Sequence, residues 1–183
     1  MRRLAGILSV ATLALLPGCS EDTITATPDD VSDATTTAPS DQSELPAGAT
    51  IGDTISLHGE LDPELEIAAT VMSVLDPAEG ASFLKAEKGS RYVAVEVRLQ
   101  NTGTTDYGDA PTNGAVLIDA NNHQYDTWMS SGIEATLDGL VRIAPGDERV
   151  GFIVFQVPKN EAPGSFQFTL ESGFASETGQ WSL

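Results

Sequence analysis

From Ile51 onward, apolar and polar positions alternate with a period of two, the mark of half-buried strands rather than of helices. Along Arg91–Gln100, Val93, Val95, Val97 and Leu99 share one face, while Glu96 and Arg98 point the other way beside Tyr92 and Ala94. Phe166, Phe168 and Leu170 alternate with Gln167 and Thr169 in the same manner. Val150–Val157 is apolar on both faces, which predicts a central strand. Glu66–Leu75 predicts another strand, with Ile67, Ala69, Val71 and Leu75 inward. Shorter strands are expected at Asp53–Leu57, Ala115–Asp119 and Gln124–Trp128. The one helix-like stretch is Pro77–Lys88, one or two turns long.

Turn chemistry separates these segments. Asn101-Thr102-Gly103 ends one strand, and Ala120-Asn121-Asn122-His123 joins two others, asparagine tolerating the left-handed backbone of a tight turn. Ala144-Pro145-Gly146-Asp147 places Pro and Gly at the centre of a type II turn. Seven short strands with turns between them predict an all-β antiparallel sandwich over residues 51–183.

Before Ile51 the pattern changes twice. Arg2 and Arg3 precede the apolar run Leu4–Leu16, which as a helix covers roughly 20 Å and falls short of a bilayer core of ~30 Å. Residues 1–18 therefore read as a signal peptide of the general secretory type. Leu16-Pro17-Gly18-Cys19 resembles the lipobox of bacterial lipoproteins. That resemblance implies cleavage between Gly18 and Cys19, a diacylglycerol on the Cys19 thiol and acylation of the new amine. Two acyl chains on one residue meet the requirement for stable anchoring. Residues 19–50 then form a tether. Positions 20–50 hold 11 Ser or Thr, 3 Pro and 7 acidic residues with no basic one, too few apolar groups for a core.

Charge and inventory narrow the function. Of 183 residues, 9 are Lys or Arg and 27 are Asp or Glu, a formal charge of -18 that disfavours nucleic acid as a partner. A single cysteine makes no internal disulfide, and two histidines do not fill a His-rich metal centre. No nucleophile elbow, phosphate loop, zincin helix or EF-hand pattern occurs, so neither an enzyme nor a cofactor is expected. His58 and His123 read as surface residues at a strand end and in a turn. Asp106 and Asp109 are a pair of hard oxygen ligands in one loop, the basis of a Ca²⁺-sensing alternative. Tyr107, Trp128 and Trp181 fall in loops or at element ends, where they either cap the ends of the core or stand as contacts; for a partner the candidate contacts are Tyr107, Trp128 and Met129.

Several segments together carry a family resemblance. These are Gly52-Asp53-Thr54-Ile55, Val74-Leu75-Asp76-Pro77, Tyr92–Val97 leading to Asn101-Thr102-Gly103, Asp119–Tyr125, Ile143–Asp147 and Phe155-Gln156-Val157-Pro158. Over about residues 50–172 the chain resembles a domain family of unknown function found in lipoproteins of Gram-positive, especially actinobacterial, species. It is also similar to the mycobacterial secreted immunoprotective antigen. The resemblance implies an immunoglobulin-like fold without the usual inter-sheet disulfide, and no agreed activity. The expected protein is a lipoprotein on the outer face of the plasma membrane. Its non-catalytic sandwich would contact an envelope protein or a cell-wall component.

Overall fold

The strands assemble into two antiparallel sheets. The computed structural model describes residues 48–129 and 131–183, all within one compact unit. The signal peptide, Gly18, Cys19 and the tether up to residue 47 lie outside the described residues. One sheet is built from β1 (Thr54–His58), β2 (Glu66–Ala78), β3 (Ser90–Asn101) and β8 (Glu148–Pro158), in the order β1-β2-β3-β8. The other contains β5 (Ala115–Asp119), β6 (Gln124–Tyr125), β9 (Pro163–Thr169) and β10 (Thr178–Ser182), in the order β10-β9-β5-β6. A short ribbon of β4 (Tyr107–Asp109) and β7 (Val141–Ile143) completes the set. The architecture is a β-sandwich.

The core lies where the period-two faces meet. Val93, Val95, Val97 and Leu99 of β3 are all buried, as their alternation predicts, together with Ile153, Phe155 and Val157 of β8. From the opposite sheet come Leu117, Phe166, Phe168 and Trp181. Phe166 joins the layers, meeting Phe155 edge-on at 6.2 Å and Trp181 at 5.9 Å. The outward face of β3 is covered as well. Tyr92 and Ala94 are buried with Ala78 and Val154 in a second cluster, roofed by Trp128 and Ile133.

Several expectations need correction. A β-bulge between Val71 and Ser73 shifts the register of β2, so Val74 packs on the core and Leu75 points to solvent. Alternation counted straight through that bulge assigns Leu75 to the wrong face. Pro77–Lys88 is not helical: β2 runs on to Ala78, and an irregular loop follows. β8 is not central but last in its sheet order. Its apolar outer face is explained by a covering segment: Trp128 N donates to Val154 O at 2.6 Å and Leu137 N to Phe152 O at 2.9 Å. The expected strand Gln124–Trp128 therefore divides between sheets, with Tyr125 pairing Leu117 and Thr127 bridging Phe155. At the other margin Thr50 bridges Ser182 before β1 joins β2. Both open edges are thus closed by segments that change sheets, which removes free pairing edges. The strands β4, β7 and β10 are too short or too polar to register as alternation.

The expected turns form. Asp147 N donates to Ala144 O at 3.0 Å with Gly146 at φ 86°, and Asn122 takes φ 70°.

Candidate functional site

The sandwich has two loop ends of opposite character. At the first, the β5–β6 turn is built around Asp119, a carboxylate with no exposed surface. Its Oδ1 accepts from Asn121 N (2.8 Å) and His123 N (2.9 Å), while Oδ2 accepts from Tyr125 Oη (2.7 Å) and faces His123 Nδ1 (3.0 Å). Burial alone raises the Asp119 pKa, but the donors from His123, Tyr125 and Asn121 outweigh it and hold the carboxyl below its ordinary range. Tyr125 is pushed up to about 12, first by burial and then by Asp119. Asp119, His123 and Glu161 bring ligating atoms within 4.8 Å of one another, the one such cluster among the described residues. Glu161, however, already accepts from Asn121 Nδ2 (2.7 Å) and Asn160 Nδ2 (2.8 Å). A cation would have to displace these donors, so the arrangement is a closed network that pins the turn.

Beside it the 79–89 loop folds over the ends of β2 and β3 and encloses a groove of ≈ 890 Å³. Lys85, Lys88, Arg91 and Lys159 line it, along with Glu79 and Glu87. Only seven Lys or Arg residues lie beyond Arg3 in this acidic chain, so four of them gather at one place. Arg91 is engaged internally: its guanidinium forks onto both carboxylate oxygens of Asp76 and donates to Pro158 O and Glu161 O. The loop is tied down by Glu87 N to Gln156 Oε1 (3.0 Å) and by Lys159 N to Gly89 O (3.0 Å). Phe83 of the same loop is 82% exposed.

The opposite end is acidic. The loop after β1 and the turn after β9 are stitched together by Leu61 N to Glu171 Oε1 (2.8 Å) and Ser176 N to Glu60 Oε2 (3.3 Å). Glu177 accepts from His58 N (2.9 Å) and faces His58 Nδ1 (3.0 Å), which lowers its pKa. Glu171, Ser172 and Gly173 are three successive residues at positive φ. For the two that carry a Cβ, this costs on the order of 1–2 kcal/mol each. Asp109 holds the turn, its Oδ2 accepting from Ser172 N (2.7 Å) and its Oδ1 from Ser172 Oγ (2.6 Å). On these stitched loops stand Leu61 and Phe174, 87% and 85% exposed.

A domain model described as a domain of unknown function, DUF4352, matches residues 60–179. The chain belongs to the DUF4352 family. No curated protein matches it by sequence. Among solved structures it is similar to MPT63, a secreted protein from Mycobacterium tuberculosis, with TM-score 0.55 and 12% identity over 77% of this chain and 100% of that one. It is also similar to the yjhA protein from Bacillus subtilis, with TM-score 0.52 and 16% identity over 74% and 98% of the two chains. A third is ycdA, a candidate lipoprotein of Bacillus subtilis, with TM-score 0.52 and 13% identity over 71% of this chain and 38% of that one. At such identities the likeness is one of fold.

Within this DUF4352 domain the motif residues have structural work. Asn101 is fully buried, and its Nδ2 donates to Thr105 O (2.8 Å) and Ile143 O (2.9 Å) while its Oδ1 accepts from Gly103 N (3.1 Å). It fastens β7 to the end of β3, as Asp119 fastens the β5–β6 turn.

The expected contact residues fare unevenly. Tyr107 is 1% exposed and sits in the main core, so it offers no surface to a partner; β4, which carries it, turns inward against β7. Burial, then the Asp109 charge, raises its phenol pKa. Trp181 is likewise buried, its Nε1 donating to Asp53 O at 2.9 Å. Trp128 is half-buried over the second cluster, and Met129 beside it is exposed. Asp106 is exposed, Asp109 is committed to Ser172 and to Ala110 N, and no third ligating side chain completes the pair among the described residues. His123 faces Asp119, four residues before it. Leu61, Phe174 and the basic groove were missed, because exposure and the meeting of distant loops leave no local pattern.

Proposed function

We propose that the chain is a non-catalytic binding module, lipid-anchored through Cys19 to the outer face of the plasma membrane, that engages an envelope protein through its acidic loop end. The observation that carries this reading is the pair Leu61 and Phe174, nearly fully exposed on loops held in place by hydrogen bonds and a left-handed turn. Large apolar side chains standing on a pre-ordered, strained segment are what a contact surface requires, since little entropy remains to be lost on binding. The surrounding Glu60, Asp62, Glu64, Glu171 and Glu177 favour a partner with a basic rim. The histidines support the non-catalytic reading: among the described residues their ring contacts run to Glu177 and Asp119, and neither faces a hydroxyl nucleophile. The lipobox at Leu16–Cys19 supports the anchor, and the described residues hold no helix long and apolar enough to cross a membrane.

Two experiments test the two halves. Cys19→Ala should move the chain from the membrane fraction to the medium or leave an unprocessed precursor; a cleaved form that stays in the membrane refutes the anchor. Cross-linking in the native membrane should capture one dominant protein, and Leu61→Ser with Phe174→Ser should abolish that capture. Capture undiminished in the double variant refutes the assignment of the surface.

A further inference from the structure

Three stretches of chain meet at the acidic end: residues 58–66, 101–114 and 170–178. Thr104 N donates to Glu64 O (3.0 Å), Leu61 N to Glu171 Oε1 (2.8 Å) and Ser172 N to Asp109 Oδ2 (2.7 Å). Together these stretches carry eight Asp or Glu and no Lys or Arg, with His58 their one base. The neighbouring cations, Arg142 beside Gly108 and Arg149 just past the 144–147 turn, are matched by Asp147 and Glu148. Neutral backbone N–H groups hold Glu60, Asp109, Glu171 and Glu177 in place and leave their charges uncancelled. We infer that this end takes a short cationic polypeptide segment of its envelope partner, in which Lys or Arg flank apolar side chains that close over Leu61 and Phe174. That occupant presupposes the binding-module reading, which supplies the surface but not the chemistry of what covers it.

The two apolar anchors hang from a single residue, which limits the size of the occupant. Glu171 accepts from Leu61 N through Oε1 and from Phe174 N through its carbonyl O (3.1 Å), so the two backbones lie within roughly 12 Å of each other. A helix covers that distance in about eight residues. Leu61 and Phe174, both nearly fully exposed, together offer on the order of 300 Å². A stable globular interface buries ~800 Å² per partner. The available area suits a segment rather than a broad face. Charge selects the occupant further. A second copy of this chain brings the same acidic end, and its groove sets Lys85, Lys88 and Lys159 against Glu79, Glu87, Asp119 and Glu161. Like charges opposed across an interface suppress that pairing, and an anionic bilayer is repelled for the same reason. A cationic segment is instead attracted before contact, and the carboxylates it meets are already ordered, so little freedom is lost in the encounter.

The full-length protein carrying Phe174→p-benzoylphenylalanine, photo-activated in its native membrane, attaches covalently to whatever covers that residue, and sequencing the attached peptide reads the occupant's chemistry. Attachment should fall in one protein segment with several Lys or Arg and a net positive charge within about eight residues of the attachment point. Its yield should drop several-fold between about 50 and about 300 mM NaCl. Glu60→Gln with Glu177→Gln keeps an acceptor oxygen for Ser176 N and His58 N while removing two charges. That double variant should lower the yield about threefold at an unchanged melting temperature. Attachment to a neutral or acidic segment leaves the contact surface standing and overturns the cationic assignment. Attachment to lipid or to a second copy of this chain overturns it as well, as does a yield indifferent to salt. Undiminished yield in the double variant has the same consequence; should that variant melt early, the salt series on the parent decides alone. Absence of any attachment at position 174 overturns both the occupant and the surface of the binding-module reading.

Discussion

Trp181 is the residue on which the closure of the second sheet depends, and its replacement allows a worked prediction. The indole is fully buried in β10 opposite Phe166, and its Nε1 ties the strand to Asp53 O just before β1. Gly179, two residues earlier on the same face, has no room for a side chain: a Cβ there would stand 2.7 Å from the indole Cη2. Trp181→Ala should therefore cost about 3–5 kcal/mol, the range for emptying a buried aromatic site. Trp181→Phe separates the parts. It loses the hydrogen bond, about 0.5–1.5 kcal/mol, and leaves a void of roughly 40 Å³, worth about 1 kcal/mol at ~24 cal/mol per Å³. The expected total is about 2 kcal/mol. Trp128→Ala, over a half-buried site, should cost only about 1–2 kcal/mol. Urea denaturation followed by far-UV circular dichroism gives these differences from the midpoints, provided the slopes agree. A Trp181→Ala cost below 1 kcal/mol, or one smaller than that of Trp128→Ala, would refute the view that β10 is a stapled part of the core.

Three further outcomes follow from the same packing. Asp119 has a folded-state pKa below its unfolded value, so its contribution is present above about pH 4 and fades as the pH falls toward the folded pKa. Asp119→Asn should lower the melting temperature at pH 7 and flatten its fall below pH ~4; an unchanged acid limb would show that the carboxylate is not held as described. Among the described residues the buried Tyr107 Oη has no hydrogen-bond partner, so Tyr107→Phe should leave the melting temperature unchanged or raise it, worth up to about 1 kcal/mol. A clear loss of stability would reveal a partner for the phenol. Ala135 sits at φ 55°, and Ala135→Gly should stabilise by about 0.5 kcal/mol once the glycine entropy is offset; destabilisation beyond 1 kcal/mol would contradict that backbone conformation.

Local pattern was enough for much of this domain. Val93, Val95, Val97 and Leu99 had to share one face because a strand places alternate side chains on one side, whatever it pairs with. The turns at Ala144–Asp147 and Asn122 were legible for a similar reason, since Pro, Gly and Asn fix or permit particular dihedral angles within a few residues. The family motifs were readable too, and Asn101 and Asp119 now explain why they mark a fold rather than a chemistry: each side chain satisfies the backbone of a turn. Other features depend on partners far along the chain. One inserted residue after Val71 reverses the facing of Leu75, and only pairing against Val97 and Glu96 shows where it falls. Tyr107 and Trp181 look like loop or terminal aromatics until β7 and β9 arrive beside them to bury them. The two ends of the sandwich are the extreme case. Lys159 joins the loop of Lys85 and Lys88, and the loops of Leu61 and Phe174 meet, only because antiparallel strands return the chain to the same end, and charge and exposure are properties of that shared surface rather than of any segment.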